Sequence, residues 1–297
     1  MPSKLLPGYI RGLTMKPYEV KETGEVLFTD GVALGIAANQ PTCEAYGYKY
    51  DRRSGTCYAF KRNFNIEKTF NNKNNLIKGS LNRVSGDTNN TFVAGSNNLI
   101  EGNNRNNQII GNRHQLLYGL NNTSMLGGSL GKITRQSEVA IAGGQKTIKD
   151  STSAASFNSR RQTSTIELAG VTIDNTATDL TVQGDGSSYI NVEANSIIGY
   201  DIYITRLELG GSSGTAGNYS YRNIRGAVKI DNSYTMSFVV GFSRNIAKIG
   251  VNGTCIMADT STTDIKSISV NVQDRNNVHN LWSASVTLHE VISETTF

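Results

Sequence analysis

Three cysteines and three histidines carry the widest chemical range in this 297-residue sequence, and their spacing limits what that range can be. Cys43 and Cys57 flank a stretch whose aromatic residues alternate around Asp51-Arg52-Arg53-Ser54-Gly55. That is the pattern of a β-hairpin, which would set the two cysteines roughly opposite each other. Two readings stay open: a cross-strand disulfide formed after release from the cell, or a pair of buried reduced thiols. With Cys255 as the third thiol, no disulfide framework can form. His114, His279 and His289 are too scattered for a metal site or a catalytic relay, so no metal and no cofactor are expected. The run Gly210-Gly211-Ser212-Ser213-Gly214-Thr215-Ala216-Gly217 lacks the Lys-Ser/Thr ending and the following helix of a phosphate loop, and reads as a mobile inter-strand loop. Tyr219, Tyr221 and Trp282 are the aromatics suited to stack on a sugar ring while a polar handle bonds its hydroxyls. Ordinary core packing is the competing role for each.

Composition constrains the elements that would hold such groups. Only 18% of residues are charged and 37% hydrophobic, with 30 Gly, 32 Asn and 4 Pro. A disordered chain carries more charge or proline, and a coiled coil shows Glu, Lys and Leu heptads. A membrane span needs an apolar run of about 18 residues, which the sequence does not contain. Surplus Asn, Gly, Ser and Thr favour strands and turns. The net charge of +5 is dispersed, with Arg52-Arg53 and Arg160-Arg161 as the adjacent basic pairs of note. Neither nucleic acid nor membrane is therefore expected as a partner. Residues Met1-Pro2-Ser3-Lys4-Leu5-Leu6-Pro7-Gly8 have no apolar core of a secretion signal, which implies synthesis in a cytoplasm.

Internal periodicity supplies the architecture. Written in blocks of sixteen, residues 64–143 align Gly79, Gly95, Gly111, Gly127 and Gly143. Two places before each glycine stands an apolar residue: Ile77, Val93, Ile109, Met125 and Ile141. Five places before stand Asn74, Asn90, Asn106 and Asn122. A half-repeat aligns Val84, Ile100 and Leu116, with Ile133 one place off. The spacing predicts a solenoid of five coils in which glycine supplies positive φ at turns and asparagine is the next most tolerant residue. Stacking at about 4.8 Å allows asparagine amide ladders and gives a roll roughly 20–25 Å long. Such a coil is thin, and its second face is half apolar, through Ala94, Ile110, Leu126 and Ala142. A surface of that kind fits packing against symmetry mates about a three-fold axis, or against the chain's own flanking modules. The acidic residues of the repeat, Glu67, Asp87, Glu101 and Glu138, share no column, so the carboxylate pair of a glycoside hydrolase is not in view.

The recurring pattern of Asn74-Asn75-Leu76-Ile77-Lys78-Gly79 and Asn97-Asn98-Leu99-Ile100-Glu101-Gly102 resembles the parallel β-roll of trimeric autotransporter adhesin heads. Similar repeats occur in fibres and spikes of tailed bacteriophages. The resemblance covers roughly 80 residues and implies a homotrimer. Autotransporters carry a signal peptide and a carboxy-terminal anchor; neither is visible, so the phage branch is favoured, with assembly in the host cytoplasm.

The expected fold is thus all-β: a 16-residue-repeat β-roll shaft followed by an antiparallel β-sandwich or jelly-roll tip. The boundaries are a docking module with a hairpin at 1–62, the shaft at 63–150, a linker or neck at 151–164 and the tip at 165–297. The function read from this is a non-enzymatic virion protein, a homotrimeric tail or head fibre. It would contact other virion proteins through its amino-terminal module and a host glycan or protein through its tip. The alternatives are a structural decoration protein without receptor binding, and a polysaccharide-cleaving spike.

Overall fold

The computed structural model describes residues 8–21, 23–52, 54–59, 74–149 and 156–293. Glu67, the start of the shaft before Asn74 and the 151–155 part of the expected neck lie outside them. The chain divides into two compact units, Met1–Phe64 and Asn65–Phe297.

In the first unit, strands β1 (Lys16–Val20), β2 (Val26–Thr29) and β3 (Leu34–Ile36) form an antiparallel sheet. Helix α1 (Gln40–Ala45) follows, then a hairpin of β4 (Lys49–Asp51) and β5 (Thr56–Tyr58). Asn39 starts the helix by accepting the Thr42 N–H at 3.0 Å, and Pro41 occupies its first turn, where a missing N–H costs nothing. The helix changes the setting of the cysteines. Cys57 lies on the hairpin opposite Tyr50, while Cys43 lies on α1, and a disulfide joins helix to strand. Both are buried with Val26, Phe28 and Ala38. Phe28 meets Tyr46 and Tyr48 edge-on at 5.7 and 6.4 Å.

The second unit begins with the solenoid. Its longer wall is β6 (Leu76–Ser80), and the chain then turns through β7 (Arg83–Val84) to the next coil, β8 (Phe92–Ser96) with β9 (Leu99–Ile100). Two more coils follow: β10 (Gln108–Asn112) with β11 (Gln115–Leu116), and β12 (Ser124–Ser129) with β13 (Lys132–Ile133). Like strands stack in parallel, Ile77 beside Val93 beside Ile109 beside Met125. Isolated parallel bridges from Asn89 to Arg105 to Asn121 mark a third side.

Glycine is required along one line of this stack, and the line departs from the sequence column. A Cβ on Gly79 would overlap the Gly95 carbonyl, one on Gly95 the Gly111 carbonyl, and one on Gly128 the Ala142 carbonyl. Gly127 has open space around its Cβ position. It is the extra residue of a bulge that shifts the register from Ile110 to Asn112, which pairs with Ser129. That one-residue insertion brings Ile133 into register with Leu116. It also displaces the last expected coil. Met125 pairs with Ala140, which is fully buried, whereas Ile141 is 56% exposed. Gly143 meets Arg161 rather than a further coil, so four coils form among the described residues where five were expected.

Strand β14 (Val139–Lys149) ends the roll. It pairs in parallel with β12 and antiparallel with β15 (Ser156–Thr172). The tip adds β16 (Thr178–Asp179), β17 (Thr181–Val182), β18 (Ile190–Asn191), β19 (Ser196–Gly210), β20 (Tyr219–Ile230), β21 (Met236–Ile249), β22 (Thr254–Asp259), β23 (Ser267–Gln273) and β24 (His279–Ser293). Shaft and tip share one sheet in the order β21-β20-β19-β24-β15-β14-β12-β10-β8-β6, with β17 pairing on β15. The segment 156–164, expected as part of a neck, is the first half of β15. A smaller antiparallel sheet, β16-β23-β18 with β22 beside β23, packs on the tip half of the large one. The core between them contains Ile166, Ile202, Ile204, Val270, Val286 and Leu288. Strict alternation of buried and exposed residues along β19 and β24 sends every second side chain into that core. The fold is therefore nearly all β, a solenoid merging into antiparallel sheets.

Candidate interaction surfaces

The large sheet has one covered face and one open face, and the open face carries exposed apolar residues at its far end and on the roll, with polar and charged residues such as Thr165, Thr287, Asp201 and Arg225 between them. At its far end a cross-strand row runs Val171, Leu281, Leu207, Tyr219, Ile249 over β15, β24, β19, β20 and β21. All five are exposed, from 39% to 56%. On the roll the same sheet presents Leu76, Leu126, Val139 and Ile141, each exposed. Register ties the two ends together: Leu76, Phe92, Gln108, Ser124, Val139, Thr165, Thr287, Asp201, Arg225 and Phe242 follow one another across ten strands.

Tyr219 and Tyr221 stand on this face. Tyr221 stacks on Tyr203 with ring centroids 6.0 Å apart, and Tyr219 and Tyr221 border a shallow groove of about 300 Å³ together with Leu207 and Leu281. Trp282 does not share their orientation. Its side chain points into the core at 4% exposure, its Nε1–H donates to Thr172 Oγ1 at 2.9 Å, and the Arg206 guanidinium lies 6.0 Å over the ring. A buried indole offers no face to a sugar, so Trp282 is a packing residue.

The repeat asparagines include an exposed column and buried ones. Asn74, Asn90, Asn106 and Asn122 all adopt left-handed φ between 51° and 57°. The Asn90 amide donates to Asn106 at 3.2 Å and Asn106 to Asn122 at 3.1 Å, an exposed ladder. A second, buried ladder was not apparent in the sequence. Asn98 N–H donates to Asn82 Oδ1 at 3.1 Å, and His114 N–H to Asn98 Oδ1 at 2.9 Å. The amide groups of Asn82 and Asn98 satisfy the carbonyls of Gly95 and Gly111, each at 2.9 Å. His114 replaces asparagine in the next coil, where its Nδ1 accepts the Gly131 N–H at 3.0 Å. Burial holds its pKa below the usual histidine value. The sixteen-residue spacing of Asn82, Asn98 and His114 is the signal that would have found this column.

Two buried charge clusters lock the architecture. Where roll meets tip, the Arg135 guanidinium bonds Glu290 at 2.5 and 2.8 Å and Glu138 at 3.2 Å. Burial opposes the charge on Arg135, but Glu290 and Glu138 outweigh it and raise its pKa. Ser164 and Gln162 donate to the same Glu138 oxygen at 2.5 and 2.9 Å. At the other end, Arg206 bonds Asp274 and, at 3.4 Å, Glu208, while Arg275 reaches Glu208 at 3.3 Å. Glu208 also accepts the Thr215 N–H at 2.5 Å. The glycine-rich 210–217 loop, expected to be mobile, is therefore tied to the sheet at Glu208. His279 and His289 are on β24, away from His114 in the roll.

No protein-family model matches the sequence, and no curated protein matches it. Among solved structures, the tailspike protein of Acinetobacter baumannii phage AM24 is similar over 73% of this chain and 47% of its own, at 7% identity and a TM-score of 0.25. The tailspike protein gp49 of A. baumannii bacteriophage Fri1 is similar over 72% and 36%, at 10% identity and a TM-score of 0.22. That of Acinetobacter phage vB_ApiP_P1 is similar over 74% and 50%, at 9% identity and a TM-score of 0.25. The chain thus spans half or less of the length of these proteins. The Fri1 protein is described as a capsular polysaccharide depolymerase. That description corrects the expectation of a non-enzymatic chain, which is withdrawn.

Proposed function

We propose that the chain is a phage tail appendage, a fibre or spike that assembles as a homotrimer and attaches the virion to the host surface. The observation that carries this reading is the set of exposed apolar residues on the open face of the large sheet, at its far end and on the roll. Soluble monomers rarely expose contiguous apolar surface beyond a few hundred Å². Here such residues recur from Leu76 on the first coil to Ile249 on the edge strand. Closed three-fold packing of that face would bury shaft and tip together and complete the core that a thin solenoid lacks. Three linked tips would then raise avidity for a host glycan or protein without any single strong site. The disulfide-closed amino-terminal unit is the dock to other virion proteins in this reading. Assembly takes place in the host cytoplasm.

Native mass spectrometry of the full chain tests the assembly. A species of three times the 32.2 kDa chain mass is expected, and a folded monomer at micromolar concentration overturns the trimer. Adsorption of the full chain to host cells separates an attachment protein from a purely structural one. Oligosaccharide release from the same cells reads out cleavage.

A further inference from the structure

The side of the tip that carries the smaller sheet holds a second groove, of about 250 Å³. Its walls come from three places: Leu120 and Gln136 on the turns of the roll, Ser187 to Asn191 at the start of β18, and Thr260 to Ser267 between β22 and β23. None of these residues belongs to the large sheet, so closure of the open face against other copies leaves the groove accessible. Eight of its ten lining residues carry a hydroxyl or a carboxamide, and none carries a charge.

The hydrogen-bonding groups are partly fixed and partly open. Gln136 is held at both ends, donating to the Gly119 carbonyl at 2.8 Å and accepting the Asn121 N–H at 2.8 Å. Asn191 donates to the Thr134 carbonyl at 3.3 Å, which leaves its Oδ1 for a ligand. Thr262 Oγ1 accepts the Ile265 N–H at 3.1 Å and keeps its own proton to give. Half-buried Tyr189 lines the groove, and its hydroxyl makes no hydrogen bond among the described residues. A flat aromatic face beside fixed neutral donors and acceptors is chemistry for a ligand with C–H faces and many hydroxyls. Lys266 at its edge is engaged with the Thr262 carbonyl at 3.1 Å, and no lining side chain carries a charge to pair with an acidic ligand, whose desolvation would be a net cost.

We infer that this groove, centred on Tyr189 and Asn191, binds an uncharged saccharide segment. The inference deepens the attachment reading by naming the ligand class and its site, and it stands independently of the oligomeric state. In a trimer closed on the open sheet face, Tyr219 and Tyr221 are interface residues rather than the sugar site.

The test is a glycan array presenting neutral hexose oligosaccharides beside sialylated and uronic-acid glycans, probed with the full chain, followed by calorimetry on the tightest neutral binder. Retention of neutral glycans is expected. Tyr189→Ala should weaken the affinity at least ten-fold, and Thr262→Trp, at an exposed position that narrows the groove, should do the same while leaving the circular-dichroism melt unchanged. Tyr189→Phe, which keeps the ring and removes the hydroxyl, should weaken it several-fold. No retention of any neutral glycan, preference for the acidic ones, or affinity untouched by both Tyr189→Ala and Thr262→Trp overturns the assignment. Native mass measured on the same samples separates this outcome from failure of the trimer.

Discussion

Leu207 and Leu281 are direct cross-strand partners on β19 and β24, and both side chains point away from the core into the open. Val171 and Tyr219 extend them on either side. In an assembly with this face closed, a charge in the row is buried without a partner, which costs several kcal/mol at each interface. Leu281→Asp should therefore convert the native species to monomer, with the dissociation constant raised at least about 100-fold, or about 3 kcal/mol. Sedimentation equilibrium checks it. Leu281→Asp that remains a trimer removes this row from the interface.

The asparagine ladders differ in what they support. Truncating Asn98 leaves the Gly111 carbonyl and the His114 N–H without partners in a buried setting. Each such group costs about 1–3 kcal/mol, so Asn98→Ala should destabilise by about 3 kcal/mol or more. Truncating Asn106 removes exposed bonds to Asn90 and Asn122 and places alanine at φ 57°, a cost of about 1–2 kcal/mol. Urea midpoints of the two variants should keep that order.

Gly95 and Gly127 look equivalent in the sequence and are not equivalent in the stack. A methyl group on Gly95 collides with the backbone of the next coil, whereas one on Gly127 meets nothing within 4 Å. Gly127→Ala should cost only the strain of its φ of 123°, about 1–3 kcal/mol. Gly95→Ala must separate two coils and should abolish the cooperative melt of the roll. Differential scanning calorimetry distinguishes the two.

These contrasts show how far the sequence could be read. The period exposed the solenoid because the inward residue of each coil must be apolar and its turns need left-handed φ. It failed at the fourth coil, since a bulge glycine is locally indistinguishable from a turn glycine, and the error carried forward to Ile141 and Gly143. The hairpin at β4 and β5 was legible from alternating aromatics, while α1 was missed because six residues with a proline give no helical period. Tyr219 and Tyr221 came together as neighbours on one face by simple alternation. The groove at Tyr189 was invisible because its walls are up to 147 residues apart in the chain.

The disulfide carries a prediction of its own. Cys43 and Cys57 are 14 residues apart, and closing a loop of about 15 residues contributes about 3 kcal/mol in the chain-entropy view. The first unit has few other core residues: besides the cysteines, Val26, Phe28, Ala38 and Tyr58 are its buried hydrophobic ones among the described residues. Cys57→Ser, or reduction, should therefore unfold residues 8–59 at a lower temperature, leaving the melt of the second unit in place. Hydrogen exchange resolved by peptide measures both.

Glu138 shares the Arg135 guanidinium with Glu290, so the buried cluster at the roll–tip junction holds two carboxylates against one cation. Burial raises the Glu138 pKa; Arg135 pulls it down, and Glu290 pushes it up again, leaving it above the ordinary value of 4.5. Because the folded pKa exceeds the unfolded one, the folded state binds more protons between the two. Stability must then fall as pH rises through that window, by about 1.4 kcal/mol for each unit of separation. Glu193 has the opposite sign. Burial raises its pKa, but Arg160 at 2.7 Å and Lys132 at 3.2 Å outweigh it and hold the pKa low, so its contribution is lost as pH falls below 4.5. Urea midpoints across pH should show both slopes. Glu138→Gln should flatten the decline above pH 4.5 and Glu193→Gln the decline below it. A decline above pH 4.5 that survives Glu138→Gln places its origin outside the junction.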